Sequence, residues 1–307
     1  MKTGPQRGHG TPEAHHKPGG AQGVQVFQIY FKNDQLQKLD PSFIAYDNRQ
    51  VDDERLEFGV FERLAQRADV KQLQAWGAVS WRFNQKTGLT GQQWLDAVTA
   101  EPGVDLFYTN VAPLSEGLYD NGWMQGEISH PGLMSVAAAV LKASGYDSGH
   151  LFQPEASHQY STANYFVGSQ KFWQLYLPFV KSTLQVAEPR VQPSIKRQLH
   201  NSADPTGLHH RATYVPFIVE RLLPLFLATV GRHLRTRQVR LPAREAELNE
   251  HIRVLAQLKD KAILEQSTLL LTAWRNYRNL YLQQVARPDW CKQHLPWMNG
   301  PRWQTSF

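Results

Sequence analysis

The chain is short of sulfur and of long apolar runs, and both shortages narrow what it can be. A single cysteine, Cys291, among 307 residues excludes an internal disulfide framework and any cysteine-based zinc site, so stability must come from the core. A reducing, cytoplasmic setting is the expectation. The longest apolar stretch, Tyr214 to Val230, is interrupted by Pro216, Glu220, Arg221 and Pro224, which makes it too polar for a bilayer span. Residues 1–23 are rich in Gly, Pro, His and Gln and hold no apolar run, so neither a secretory signal nor an anchor is expected there and the segment reads as a disordered tail. Also missing are a Gly-x-Ser-x-Gly elbow, a Walker loop, a Gly-x-Gly-x-x-Gly turn and a His-Glu-x-x-His helix, and with them the hydrolase, NTPase, dinucleotide and metalloprotease classes they mark.

What is present is a globular composition. Hydrophobic residues make up 41% and charged residues 20%, enough apolar surface to offset the entropy of ordering. The length suits one large domain with an appendage. The net charge of +6 is uneven: residues 1–180 hold 14 Lys+Arg against 18 Asp+Glu, and the remainder 19 against 9. The basic second half suits phosphate-bearing ligands, an anionic membrane surface or nucleic acid, and it is equally accounted for as a solvated basic face.

Periodicity then orders the chain. Val24 to Phe31, β-branched and aromatic, predicts a first strand that should lie centrally. Glu54 to Arg67 predicts an amphipathic helix, Trp76 to Phe83 a strand, and Thr90-Gly-Gln-Gln93 a capping box that starts a helix. Gly103 to Asn110 returns as a strand. Pro131 at a first helical position opens a helix over Leu133 to Leu141, and Thr162 to Gly168 predicts a strand followed by a helix capped at Ser169. Such alternation argues for an α/β sheet with parallel pairs. Lys181 to Thr213 reads as a long loop. Ala243 to Ala286, free of Pro and Gly, predicts one long helix or a helical hairpin. The expected organisation is therefore a tail over 1–23, an α/β domain over 24–240 and a helical extension over 241–307.

Two patches concentrate chemistry: Trp76 to Phe83 with Lys86, and Asn121 to Gly132. Both set aromatic, cationic, amide and carboxylate side chains among glycines, a composition suited to a polar ring-shaped ligand. In open α/β sheets ligands lie beyond the carboxyl ends of strands. There Arg82 offers a bidentate fork and Lys86 a point charge for a diphosphate, although surface ion pairs explain both equally well. Asp105 and Asn110 belong to the third strand's ends. Asn121, Trp123, Gln125, Glu127 and His130 read as a binding loop in which Trp123 stacks on a sugar face, or as a rigid turn held by its own hydrogen bonds. Glu127 and His130 have a spacing that pairs metal ligands on a helix, but Pro131 pushes His130 toward an extended conformation, and no metal ligand is assigned. Asn164 in an apolar strand needs partners, and Glu220-Arg221 cannot face each other on one helix, so one of the two must pair elsewhere.

Three stretches together resemble a family of bacterial glycosyltransferase-like proteins of lipopolysaccharide, O-antigen and capsule synthesis. They are Trp76-Gly-Ala-Val-Ser-Trp-Arg-Phe83, Asn164-Tyr-Phe-Val-Gly-Ser-Gln-Lys-Phe-Trp173 and Tyr214-Val-Pro-Phe-Ile-Val-Glu-Arg-Leu-Leu223, and the likeness spans roughly residues 24–234. It implies a fold similar to the GT-A type, a Rossmann-like α/β/α sandwich binding a nucleotide-sugar donor and an acceptor sugar, with Arg82 and Asn164 lining the site and Glu220 holding or serving it. The chain departs from the family in having Ser80-Trp81-Arg82-Phe83 where a His-Tyr-Arg-Arg-like motif is expected. It also has no Asp-x-Asp pair, since Phe107 follows two residues after Asp105. Either Arg and Lys neutralise the donor phosphates, or one carboxylate and donor oxygens complete the shell of a Mn or Mg ion.

The expected activity is transfer of a sugar from a nucleotide sugar to a surface-polysaccharide acceptor, with Glu127 or Asp105 as base and Arg82 and Lys86 on the diphosphate. A lipid-linked acceptor at the inner membrane face would suit the basic second half. A glycan-binding or assembly protein on the same fold is the alternative. A nucleic-acid role through Trp274, Tyr277 and Tyr281 ranks below both and no nucleic-acid partner is expected, since those aromatics follow helical spacing and read as core.

Overall fold

The computed structural model of the chain describes residues 23–203 and 212–299; the expected tail, apart from Gly23, lies outside them. Six strands form one sheet: β1 (Val24–Tyr30), β2 (Ile44–Asp47), β3 (Ala75–Ser80), β4 (Leu106–Tyr108), β5 (Phe166–Ser169) and β6 (Thr236–Gln238), in the order β2-β1-β3-β5-β4-β6. β1 is interior, parallel to both β2 and β3. Its side chains alternate between two cores: Phe27 and Ile29 join Trp76, Ala78 and Phe166 on one face, and Val26 joins Val79, Phe107 and Val167 on the other. The first face is covered by Phe58, Phe61 and Leu64 of the Glu57–Gln66 helix and by Phe172, Trp173 and Tyr176 of the Gln170–Ala187 helix. The second is covered by Phe83 and by Trp94 and Val98 of the Gly91–Thr99 helix. A mixed sheet between helical layers is an α/β fold.

The expectation of parallel pairing fails at β5, which runs antiparallel to both β3 and β4. A parallel return would need a crossover to the opposite end of the sheet. Instead the chain leaves β4 at Tyr108, runs through the helices Gly122–Ser129 and Leu133–Ser144, and enters β5 at Phe166, level with Tyr108. β2 and β6, not anticipated from the sequence, are the edge strands; both are short, and β6 (Thr-Arg-Gln) is polar, as protected edges are. The β3–β5 ladder requires Gly77, since a Cβ there would come 1.8 Å from the Phe166 carbonyl oxygen. Over the same ladder Trp173 stacks on Trp76 at 4.2 Å between centroids and donates its indole N–H to the Trp76 carbonyl at 2.9 Å.

The Thr90 capping box forms as expected, with Thr90 Oγ1 accepting from Gln93 N and Gln93 Oε1 from Thr90 N. Within the expected loop over 181–213, of which residues 181–203 and 212–213 are described, the Gln170–Ala187 helix continues through Lys181 and Pro193–Leu199 forms another helix started by its proline. The helix expected to open at Pro131 starts at Leu133, after Gly132 at φ +94°. The C-terminal segment folds as a hairpin of Glu250–Leu264 and Thr268–Val285, followed by Pro288–Met298. Trp274, Leu255, Leu282 and Met298 pack there with Leu118 and Met124. Trp274 is fully buried and donates to the Gly117 carbonyl, so its ring is core. Among the described residues no helix is long and apolar enough to cross a membrane.

Buried charge fastens these helices. Asp120, 1% exposed, accepts from Arg278 Nη1 at 3.1 Å and Arg275 Nη2 at 2.7 Å, and Lys259 donates to the Tyr119 carbonyl at 2.9 Å. Removing one partner of such a pair strands the other in a low-dielectric interior. Asp120→Asn is therefore expected to lower the unfolding free energy by about 3–5 kcal/mol, read as a shift of the urea midpoint.

Candidate active site

The carboxyl ends of β1, β3 and β4 and the amino end of β5 share one rim of the sheet. Behind it lies a polar frame. The fully buried Gln28 accepts from Asp40 N at 2.6 Å and its amide reaches the Ser80 carbonyl and Asn84 Oδ1. Asp40 in turn accepts from Asn84 Nδ2, Gly91 N and Ser42 N. These bonds anchor the helical turn Phe83–Thr87, which Gly88 ends in the left-handed conformation at φ +74°. The turn presents Arg82 and Lys86 at the rim, and the ordered backbone behind them fixes where those cations stand.

Around this turn three sequence-predicted residues, Arg82, Lys86 and Glu220, come within electrostatic reach of Tyr165 or of one another. Ser80 Oγ and the buried Tyr165 hydroxyl are 2.7 Å apart, and Lys86 Nζ lies 5.8 Å from the centre of the Tyr165 ring. The Tyr165 phenol lies within electrostatic reach of Glu57, Glu220 and Arg82. Burial pushes the Glu220 carboxyl up to about 7; Arg221 and Lys86 oppose the rise and Glu57 adds to it. Asn164, immediately before Tyr165, is 3% exposed and its Oδ1 has no hydrogen-bond partner among the described residues. A buried amide oxygen left unpaired is costly in a plain core and useful beside a ligand. Glu57 follows Leu56, which holds φ +49°, a strained conformation of the kind that concentrates at functional sites. Trp81, half-buried, has Lys38 Nζ over its ring at 4.9 Å. The half-buried Arg82 and Lys86 thus share electrostatic surroundings with Glu57 and with Glu220, whose carboxyl burial raises to about 7, a set fit for proton transfer next to an anionic leaving group.

The remaining expected residues stand elsewhere. Asn121 to Gly132 is not a binding loop: Gly122–Ser129 is an α-helix capped by Asn121 Oδ1, which accepts from Met124 N at 2.8 Å. Asn121 also donates to the Leu151 and Gln153 carbonyls. Trp123 is 2% exposed in the core and cannot stack on a sugar. Gln125 Oε1 accepts from Arg221. Glu127 accepts from Gly132 N and Met134 N, both at 2.7 Å, which caps the Leu133–Ser144 helix and removes Glu127 as base. His130 stacks on Phe217 at 3.5 Å, with Nδ1 2.9 Å from the Ala203 carbonyl oxygen. The glycines misled because they serve packing. A Cβ at Gly126 would meet Arg221 Nε at 2.4 Å, so the missing side chain admits the guanidinium without breaking the helix.

Asp105 lies at the amino end of β4, the opposite edge, where it pairs with Lys171 at 3.3 Å and accepts from Arg235 N at 3.0 Å; the second expected base is removed from the rim as well. Asn110 is at the rim, but buried, with its side chain bonded to Ala112, Glu116 and Thr162. Glu57, Trp81 and Tyr165 were not anticipated. Tyr165 and Trp81 adjoin expected residues in sequence, whereas a Glu in a first helical turn reads as a dipole partner and gives no other signal. Among the described residues no group of three or more His, Cys, Asp or Glu side chains is placed to hold a metal ion. Comparison with known protein families, with curated proteins and with solved structures gave no significant match.

Since Glu57 raises the Glu220 pKa, Glu57→Gln is expected to shift the Glu220 titration downward from about 7. Carboxyl ¹³C shifts followed against pH check this; an unmoved titration would show that the two carboxylates do not interact.

Proposed function

We propose that the chain is a glycosyltransferase of the GT-A type, moving a sugar from a nucleotide-sugar donor to a surface-polysaccharide acceptor. One observation supports the reading: Arg82, Lys86 and Glu220, two of them drawn from stretches that carry the family resemblance, surround Tyr165 at one rim of an α/β sheet, and Asn164 precedes Tyr165 in the chain. Substrate sites of open α/β sheets lie at such rims.

In this mechanism Glu220 replaces Asp105 and Glu127 as the base. Its ionised carboxylate takes the proton of the acceptor hydroxyl as that oxygen bonds to the anomeric carbon. The bond from the anomeric carbon to the diphosphate breaks, and the nucleoside diphosphate leaves with the electron pair, held by Arg82 and Lys86. Asn164 Oδ1 accepts from a sugar hydroxyl. A Mn or Mg ion, if used, would be bound mainly by donor oxygens with Glu57, as Mg sites with few protein ligands are. The basic second half would favour the cytoplasmic face of an anionic membrane and a lipid-linked acceptor.

A nucleotide sugar bound at this rim should stabilise the fold by about 2.7 kcal/mol at a hundredfold excess over Kd. A thermal-shift screen of nucleotide sugars, with and without Mn²⁺, tests this, and no shift with any of them rejects the reading. Glu220→Gln should retain donor stabilisation while reducing transfer roughly 10²–10⁴-fold. A base must be ionised to act, and the Glu220 carboxyl titrates near 7, so the rate of the unsubstituted protein should rise with pH through that value and then level. A flat profile from pH 5 to 9 would remove Glu220 from the role.

A further inference from the structure

We infer a second carbohydrate site: a cleft between the β4–β6 edge and the C-terminal helix Glu250–Leu264 that binds the acceptor as an extended, uncharged oligosaccharide. The cleft measures about 900 Å³, with Arg240, Arg253, Gln257 and Ser157 in its walls. It meets a smaller cleft of about 500 Å³, which contains Arg82 and Lys86, at Pro113 and Leu248, residues common to both. A chain lying in the larger cleft would therefore end beside the rim where transfer is proposed, and the word acceptor rests on that proposal.

The chemistry of the walls selects the ligand. Charges of both signs are paired along the cleft: Arg237 with Glu101 at 3.4 Å, and Arg240 with the buried Glu116 at 3.1 Å and with Glu245 at 2.6 Å. A polyanion would have to displace these carboxylates. A sugar hydroxyl needs no displacement, because it donates to a carboxylate and accepts from a guanidinium at once. Burial of the Glu116 carboxyl raises its pKa although Arg240 opposes this. The independent sign of a ligand is Ser157: it is 8% exposed, its hydroxyl has no hydrogen-bond partner among the described residues, and it lies in the wall of the cleft. A buried hydroxyl is normally paired, and rotation about χ1 toward the cleft would let a ligand hydroxyl pair it. Arg253, also in the wall of the cleft, is exposed and donates to the Glu245 carbonyl, and its other N–H groups can serve a ligand.

The test is an array of short and long oligosaccharides from bacterial surface polysaccharides, with a heparin hexasaccharide as anionic control, probed with the full chain and with Arg253→Ala/Gln257→Ala and Ser157→Ala. Both exposed positions and an unpaired hydroxyl can be changed without unfolding the protein, which far-UV circular dichroism verifies. Longer neutral oligosaccharides should bind better than short ones, and the Arg253→Ala/Gln257→Ala protein should bind them at least about tenfold more weakly, the loss expected for a charge-assisted hydrogen bond. Thermal stabilisation by nucleotide sugars should be unchanged in both variants. Preferential binding of heparin, or glycan binding insensitive to all the substitutions, overturns the site. Nucleotide binding without any glycan binding also overturns it and leaves the transferase reading standing. Glycan binding lost in the variants, with no nucleotide binding to any form, supports the site and rejects the transferase.

Discussion

A guanidinium inside a protein is tolerated only where every face finds an acceptor, and Arg221 is the point on which much of this structure turns. At 4% exposure it donates to the Gly122 carbonyl at 2.9 Å, the Phe217 carbonyl at 2.8 Å and Gln125 Oε1 at 2.9 Å, and stands 3.4 Å from Glu220. The apolar stretch from Tyr214 to Ala228 divides at this residue into the helices Tyr214–Val219 and Leu222–Ala228. Arg221 turns inward against the Gly122–Ser129 helix while its neighbour Glu220 keeps company with Lys86, Glu57 and Tyr165. Glu220 and Arg221 lie in the break between the helices, so helical spacing does not hold them apart, and contrary to the expectation from the sequence they form an ion pair while Arg221 keeps its other partners. The inward arginine thus fixes the direction of the carboxylate, and through Gly126 it fixes where the neighbouring helix lies.

The same short segment receives the C-terminal helices. Asp120 takes Arg275 and Arg278, and two residues later Gly122 gives its carbonyl to Arg221 and its N–H to Glu155 at 3.0 Å. Burial raises the Glu155 carboxyl to about 7, and burial lowers the Lys259 ammonium to about 8. Charges packed this way define a unique docking arrangement because no other register satisfies them all. The helices after residue 249 thereby stand at a set distance from the β4–β6 edge and close one side of the larger cleft.

Most of the scaffold was legible in the sequence, since it is written in local patterns. The interior placement of β1, the Thr90 capping box, the Ser169 cap on Phe172 N and the C-terminal hairpin all follow from periodicity and capping chemistry. The direction of β5 did not, because it depends on where a chain of helices returns and not on residues 166–169 themselves. The candidate site divides along the same line. Arg82, Lys86 and Glu220 carried chemistry that a core has little use for, and they lie within electrostatic reach of Tyr165 or of one another. Asn121, Trp123, Glu127 and His130 carried similar chemistry, but it serves capping, stacking and burial within and around one helix. A glycine that admits a distant arginine and a glycine that breaks a helix look identical in a one-dimensional record.

The strand order also governs how the molecule can be made. β1, β2 and β3 are complete within the first 80 residues and pair with one another, so half of the sheet can assemble early in synthesis. β4 has no such neighbour: its partners are β5, about sixty residues later, and β6, about 130 residues later. Until the ribosome has released residues 166–169, the apolar Leu106–Tyr108 segment is without a ladder, and the open side of β3 is likewise unprotected. Unpaired edges of this kind are where nascent chains associate wrongly. β5 pairs with β3 and β4 at one step, and the outer side of β4 stays open until β6 is made.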